Sequence, residues 1–243
     1  MTAWICGQIS NMDRTGETLR NRLGLAWLEK RKIHWLQIVA HVGALIPLAV
    51  LLWAAFTGGL TINPIQDITF RTGKAALWLL VLSLAVTPVN IVTGYRPVLK
   101  IRRPLGLYAF GYAALHFLIF VGLDYGFSWA LLKGAIFEKR YALVGFAAFL
   151  VLLPLALTST KGSMARLGKR WKKLHQAVYA AGILAAIHYV WVVKADLRQP
   201  LAFSAAIGIL LLIRIPAVRK RIVRWRTQRW GGSKKPIPKP GLV

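Results

Sequence analysis

The sequence predicts an all-α membrane protein, a polytopic bundle of about six transmembrane helices with both termini in the cytoplasm. The chain of 243 residues is 56% hydrophobic and only 16% charged, whereas a soluble domain of this length needs more charge to cover its surface. The apolar residues are also gathered into long uncharged runs. A run of roughly 18–20 such residues spans a bilayer as a helix.

Six runs are candidates for the spans: Trp35–Phe56, Ala75–Thr93, Pro104–Leu123, Tyr141–Thr158, Leu174–Val193 and Pro200–Ile213. The fourth and the sixth are the shortest. Helix is the expected structure for all of them, because backbone polar groups inside a bilayer must be satisfied within the segment. We therefore expect a transmembrane domain at 35–215, between a basic N-terminal arm at 1–34 and a basic tail at 216–243.

The basic residues indicate the orientation of these spans. Of the 33 lysines and arginines, 26 lie in the N-terminal arm, the second loop, the fourth loop and the tail. The alternate loops hold few basic residues and four of the seven acids, namely Asp67, Asp124, Glu138 and Asp196. Because cytoplasmic loops are enriched in lysine and arginine, this alternation predicts six spans with both termini inside.

A net charge of +26 also raises the possibility of nucleic-acid binding. The basic residues flank apolar runs instead of covering a soluble domain, so topology and anchoring to anionic membrane lipids explain them better. Cys6 is the only cysteine, which excludes a disulfide within the chain. The first 34 residues lack the apolar stretch of a cleavable signal peptide. No GxGxxG motif or P-loop is present, so oxidation of a nicotinamide nucleotide would require a partner.

Four of the five histidines lie in or at the edge of the apolar runs: His41, His116, His175 and His188. Ionisable residues inside a membrane are costly and usually functional, and imidazole is a common axial ligand of haem iron. The alternative for any single histidine is a neutral ring that donates to a nearby carbonyl. Four histidines at related depths favour the haem interpretation.

The helical rise of about 1.5 Å per residue gives their depths. Counted from the basic residues before each span, His116 lies roughly 20 Å and His188 roughly 22 Å from the cytoplasmic edge. If the third and fifth spans face each other, the two rings can hold one haem as bis-histidine ligands. Iron with six ligands has no open position, which favours electron transfer over oxygen binding.

His175 lies thirteen residues before His188, so roughly 20 Å closer to the cytoplasm. That spacing suits a second haem, and His41 is a candidate partner because it lies about 9 Å inside the first span. On an ideal helix, however, His175 and His188 point about 140° apart. The alternative is that His175 and His41 line a flavin or quinone pocket.

The chain resembles the MsrQ family, also called YedZ, over roughly residues 34–230. The stretches that carry the resemblance are RRPLGLYAFGYAALH from Arg102, TSTKGSMARLGKRWKKLHQAVYAAGILAAIHYVW from Thr158, HVGALIP from His41, GGLTINPIQDITFRTGKAAL from Gly58 and LAVTPV from Leu84. The family's haem-linked histidines match His116, His175 and His188.

This resemblance implies an inner-membrane subunit, within the ferric-reductase-like transmembrane group, that binds haem b and FMN. It also implies electron delivery from quinol or a cytosolic flavin reductase to a periplasmic molybdenum-containing subunit, MsrP, which reduces methionine sulfoxide in proteins. Arg102 and Arg103, immediately before the third span, are our candidates for binding haem propionate or FMN phosphate. The competing functions are a self-sufficient transmembrane metal reductase and a haem-free transporter or assembly factor.

Overall fold

The computed structural model describes residues 35–193 and 196–230, and every regular element within these ranges is helical. By its contacts the chain divides into residues 1–38 and 39–243. Of the first unit the structure describes only the start of the first helix, so the predicted N-terminal arm lies outside the described residues. The same holds for the tail beyond residue 230.

The helices, numbered in chain order, are α1 (Trp35–Phe56), α2 (Pro64–Thr93), α3 (Arg102–Ile119), α4 (Trp129–Glu138), α5 (Arg140–Leu157), α6 (Lys161–Leu167), α7 (Lys169–Leu174), α8 (Val178–Val192), α9 (Arg198–Leu212) and α10 (Pro216–Trp230). Two 3₁₀ segments, Arg96–Ile101 and His175–Ala177, precede α3 and α8, and a π-helical turn, Phe120–Asp124, extends α3.

All six predicted runs fall on helices, but fewer than six helices are long and apolar enough to be counted as spans on those two properties alone. Four helical segments are long and apolar enough to cross a membrane: α1, α2, α5, and α3 together with its flanking turns. A fifth appears if α9 and α10, which meet at 77°, are taken as one broken span. The remaining run is shorter than predicted because its first residues form the 3₁₀ segment, which leaves 15 residues in α8. The protein is thus a helical membrane protein, and six spans remain a prediction.

Helix α2 is the central element of the bundle. Asn63 caps its N-terminus by accepting a hydrogen bond from the Gln66 N–H, and Pro64 occupies the first turn, where a missing N–H costs nothing. Gly94 ends the helix with φ of 76°, a left-handed conformation that favours glycine. The buried face of α2 packs on α3 around Leu84, which is 1% exposed.

Helix α1 is attached to this core by tyrosines from α3. The Tyr112 hydroxyl accepts a hydrogen bond from the Leu48 N–H at 2.9 Å and donates one to the Ala44 carbonyl at 2.8 Å. Those two backbone groups would bond to each other in a regular α-helix. Pro47 lies between them and lacks an N–H, so the hydroxyl contacts both backbone groups in the turn that the proline weakens.

Helices α5 and α8 form the second packed pair, and α9 covers α8 and part of α2. A small apolar cluster joins the three helices α2, α8 and α9, with Leu77, Val81, Ala186, Tyr189 and Ile207 at its centre. Helix α3 packs against both α2 and α5. Histidines carried by α3 and α8 can therefore meet inside the bundle.

Candidate functional site

His116 on α3 and His188 on α8 face each other inside the bundle. Their ring centres are 6.3 Å apart and the ring planes lie at 79° to one another. Both side chains are partly buried. The structure therefore brings together the two histidines that the depth argument placed at one level, although they are 72 residues apart in sequence.

Each ring is oriented by a backbone carbonyl on a neighbouring helix. The Nδ1 atom of His116 lies 2.9 Å from the Thr69 carbonyl on α2, and the Nδ1 atom of His188 lies 2.7 Å from the Tyr141 carbonyl on α5. A carbonyl accepts only, so Nδ1 carries the proton in both neutral rings. The Nε2 atoms then keep their lone pairs, and no described residue hydrogen bonds to them.

A glycine stands beside each accepting carbonyl, four residues further along the helix. A Cβ atom on Gly73 would lie 3.1 Å from Nδ1 and Cε1 of His116, and one on Gly145 would lie 2.6 Å from Nδ1 of His188. These glycines let the rings approach the helix backbone. In both cases the histidine follows its carbonyl by 47 residues, so the same arrangement of carbonyl, glycine and histidine occurs twice around one centre.

The distance between the rings of His116 and His188 suits a metal ion that already has most of its ligands. An imidazole nitrogen lies about 2 Å from a metal that it binds, so two rings on opposite sides of one metal have centres about 6 Å apart. The observed 6.3 Å agrees with this. Among the described residues no group of three or more histidine, cysteine, aspartate or glutamate side chains could hold a bare ion. Two imidazoles suffice for a macrocycle that supplies four nitrogens itself, as haem does.

Stacked phenylalanines lie between α3 and α5. Phe117 follows His116 in the sequence and stacks on Phe146 at 5.6 Å and on Phe149 at 4.9 Å. Phe149 in turn stacks on Phe110 at 5.7 Å. These rings fill the interface between the two helices with flat apolar surface.

His175 belongs to a separate cluster before α8. Its Nδ1 lies 3.1 Å from the Trp171 carbonyl, and its Nε2 lies 3.3 Å from the Ser159 hydroxyl oxygen. The Trp171 ring stacks on it at 3.8 Å. Arg103 donates to the Ser159 carbonyl, which brings a guanidinium to the same cluster. Both ring nitrogens of His175 thus have hydrogen-bonding neighbours, whereas in each histidine of the central pair only Nδ1 has one among the described residues.

His41 and Arg102 lie apart from these contacts. The exposed His41 has its Nδ1 3.0 Å from the Tyr108 hydroxyl, and the two rings meet edge to face at 5.6 Å. No contact between described residues joins His41 to His175. The Arg102 side chain is half-buried, and its carbonyl accepts a hydrogen bond from Ser83 at 3.0 Å. The structure therefore does not bring His41 and His175 together as one pair.

Comparison with known proteins identifies the family. The family described as "Ferric reductase like transmembrane component" matches residues 72–186. A Rhodospirillum rubrum protein named "Protein-methionine-sulfoxide reductase heme-binding subunit MsrQ" is 46% identical over 188 residues, which cover 76% of this chain and 90% of the relative. A protein of the same name from Xanthomonas axonopodis pv. citri is 41% identical over 179 residues, 71% of this chain and 82% of its own length. The chain belongs to the MsrQ family.

No solved structure matches the chain. The arrangement of the two histidines and their carbonyls is therefore described from this structure and not from a solved relative. The segment that matches the ferric-reductase-like family runs from Thr72 to Ala186. It begins between Thr69 and Gly73 and ends two residues before His188. It includes α3, α5 and most of α2 and α8, which are the helices that build the site.

Sequence reasoning about this MsrQ chain missed the residues that support the central histidines. Thr69, Gly73, Tyr141 and Gly145 act through backbone carbonyls or through the absence of a side chain. Neither property leaves a distinctive pattern in one sequence. The equal spacing of 47 residues between each carbonyl and its histidine is a signal that could be searched for once the pairing is known.

Proposed function

We propose that this chain is a haem b-containing electron-transfer subunit of the bacterial inner membrane. In this proposal it serves a methionine sulfoxide reductase system and passes electrons to a periplasmic molybdenum-containing subunit of the MsrP type. The observation that carries the proposal is the His116–His188 pair, with ring centres 6.3 Å apart and both Nδ1 atoms held by carbonyls. The family relatives, which are named as heme-binding subunits, support it.

His116 and His188 would hold the haem iron. The carbonyls of Thr69 and Tyr141 fix each ring in the tautomer whose Nε2 is free to bind a metal, and such outer hydrogen bonds also raise the basicity of the ligand. When bound, haem would supply a one-electron carrier, and ligation by two histidines would favour electron transfer over oxygen binding. The surrounding apolar side chains keep water away and so limit side reactions.

The cluster around His175 is our candidate for a second cofactor site nearer the cytoplasm. A second haem is one occupant, with His175 as a ligand, and FMN or quinone is the alternative. Arg103 brings a positive charge to this cluster through its bond to Ser159, and Arg102 precedes it on the same helix. Both suit a propionate or a phosphate. His41 stays a candidate for the same region on sequence grounds only.

Donor and acceptor would both be separate proteins or small molecules. We propose quinol or a cytosolic flavin reductase as the donor, because the chain has no nucleotide-binding motif. The acceptor would dock at the opposite side of the membrane, where the loops are short. The reduction of methionine sulfoxide would occur in that partner. A chain that reduces ferric iron efficiently when purified alone would instead favour the self-sufficient reductase.

The first test is the haem content of purified protein. We expect the reduced protein to show the absorption bands of b-type haem, and we expect His116→Ala and His188→Ala each to abolish binding at the central site. Gly111→Ala is the matched control, since it changes the same helix as His116 at a position where the added Cβ meets nothing within 4 Å. Full haem content and an unchanged spectrum in both variants would exclude our assignment of the ligands.

A further inference from the structure

The corner between α9 and α10 contains a basic pocket. Its volume is about 510 Å³, and its lining residues are Arg214, Pro216, Arg219, Lys220, Val223 and Arg224. We refer to it below as the corner pocket. No hydrogen bond or ring contact among the described residues joins its lining to the four histidines, although Arg214 lies close enough to Arg102 of the second candidate site for their charges to interact. The pocket therefore needs an explanation of its own.

The cations of the corner pocket have no described acidic partner. Neither α9 nor α10 contains an aspartate or glutamate, and among the described residues the ion pair that the structure shows joins Arg71 to Asp67 on α2. Four cationic side chains line this volume, three of them exposed to solvent, and an anion between them would relieve their mutual repulsion. The pocket is therefore suited to a negatively charged group.

Arg214 forms a fixed wall of the corner pocket. Its guanidinium donates to the Tyr179 hydroxyl at 2.5 Å and to the Leu84 carbonyl at 2.6 Å, and it lies over the Tyr179 ring at 4.8 Å. Its Nε atom is buried without a partner among the described residues. A buried donor without an acceptor is costly. An anionic group in the pocket would lie beside this guanidinium and offset its charge.

The surroundings of the corner pocket combine charge with exposed apolar surface. Ile209, Leu212 and Ile215, on the preceding helix and its end, are 56%, 55% and 45% exposed. Helix α10 is fixed over the C-terminus of α2, where Arg226 donates to the Ile91 carbonyl at 2.8 Å. The pocket thus lies where the apolar helix α9 bends by 77° into the strongly basic helix α10, which is the pattern expected at a membrane–water boundary.

We propose that the corner pocket binds the phosphate of an anionic phospholipid headgroup. Arginine and lysine are the usual ligands of phosphate groups, and basic pockets beside membrane helices bind anionic lipid headgroups. The exposed apolar side chains of α9 would contact the acyl chains of the same molecule. A soluble phosphate compound would use the cations but would have no use for that apolar surface, so the lipid is favoured.

Native mass spectrometry of the full-length, delipidated protein in detergent tests this proposal. The probes are phosphatidylglycerol, which is anionic, and phosphatidylcholine, which carries the same phosphodiester without net charge. We expect the protein to retain phosphatidylglycerol about tenfold better than phosphatidylcholine. The variant Arg219→Gln/Arg224→Gln should lose that preference. The control Arg221→Gln/Arg229→Gln removes the same charge from α10 outside the pocket and should keep it.

Two results would overturn the proposal. Equal loss in the control variant would mean that the total charge of α10, not the pocket, attracts lipid. Displacement of phosphatidylglycerol by millimolar inorganic phosphate or FMN would assign the pocket to a soluble phosphate compound. Haem content and gel-filtration profile verify that each variant is folded. If the double variant does not fold, Arg219→Gln alone replaces it, with Arg221→Gln as its control.

Discussion

At the scale of single residues, the central histidines depend on groups that have no reactive chemistry. The glycines at 73 and 145 open the surface of α2 and α5, and the carbonyls of Thr69 and Tyr141 then receive the Nδ1 protons. The two glycine sites differ in how tightly the ring lies against them. That difference allows a graded test of whether ring placement controls cofactor binding.

We predict that Gly145→Ala weakens haem binding much more than Gly73→Ala. The new methyl group would lie 2.6 Å from Nδ1 of His188, which forces the ring off the Tyr141 carbonyl, whereas 3.1 Å at His116 requires only a small shift. Loss of such a supporting hydrogen bond lowers metal affinity about 10- to 100-fold. Haem titration of the apoprotein measures this.

Gly111→Ala is the control for these variants, because an added Cβ there meets nothing within 4 Å on the same helix as His116. Equal haem affinity in Gly145→Ala and Gly111→Ala would show that His188 does not need its observed position to bind the cofactor.

The sequence predicted the meeting of His116 and His188 because helical rise is regular, so a count of residues from the basic flanks gives depth. It did not predict where His175 and His41 point. Their orientation depends on the 3₁₀ segment before α8 and on the bond from His41 to Tyr108. Such departures from an ideal helix are set by tertiary contacts, which one sequence does not display.

At the scale of elements, the attachment of α1 depends on one hydroxyl. Tyr112, only 6% exposed, bridges the Leu48 N–H and the Ala44 carbonyl beside Pro47. We predict that Tyr112→Phe lowers the stability of the purified protein, because both backbone groups lose their partner in an apolar setting. Each unsatisfied group costs about 1–3 kcal/mol. The midpoint of thermal unfolding in detergent measures the effect.

Tyr108→Phe is the comparison for this prediction, since its hydroxyl contacts the exposed side chain of His41 and should change the midpoint little. If Tyr112→Phe is as stable as the parent protein, α1 must close its own Ala44–Leu48 hydrogen bond when the hydroxyl is removed. The tyrosine would then have no role in holding α1.

The limits of the apolar runs gave the ends of α1, α5 and α9 to within a few residues. They failed at α2, which begins at Pro64 and not near Ala75. Arg71 and Lys74 interrupt the apolar run in the sequence, but a helix carries charge near its end at low cost. Arg71 is also paired with Asp67 at 2.8 Å, one turn away. Hydropathy therefore located the spans but shortened the helix that provides Thr69 and Gly73.

At the scale of the whole molecule, two equivalent helix pairs surround one centre. Helices α2 and α3 contribute Thr69, Gly73 and His116, and helices α5 and α8 contribute Tyr141, Gly145 and His188. Each histidine is thus supported by a helix other than its own. Loss of packing between the members of either pair would displace one histidine while leaving the other in place.

The same molecular view predicts which loops lie on each side of the membrane. In a protein whose only native cysteine, Cys6, is replaced by serine, we introduce Ile62→Cys or Lys161→Cys. Both positions are exposed, Ile62 fully so. They lie in loops that differ in basic content, so the positive-inside rule assigns them to opposite sides.

A membrane-impermeant maleimide should label Ile62→Cys in bacteria whose outer membrane has been made permeable, and Lys161→Cys only after the inner membrane is opened. The native Cys6, tested in the parent chain, should behave like Lys161→Cys. Three predicted spans separate residue 62 from residue 161, and one predicted span separates residue 62 from Cys6. Both odd numbers place residue 62 on the side opposite to the other two positions. Labelling of all three positions from the same side would contradict this topology. It would also remove the reason for placing His116 and His188 roughly 20 Å from the cytoplasmic edge of the membrane.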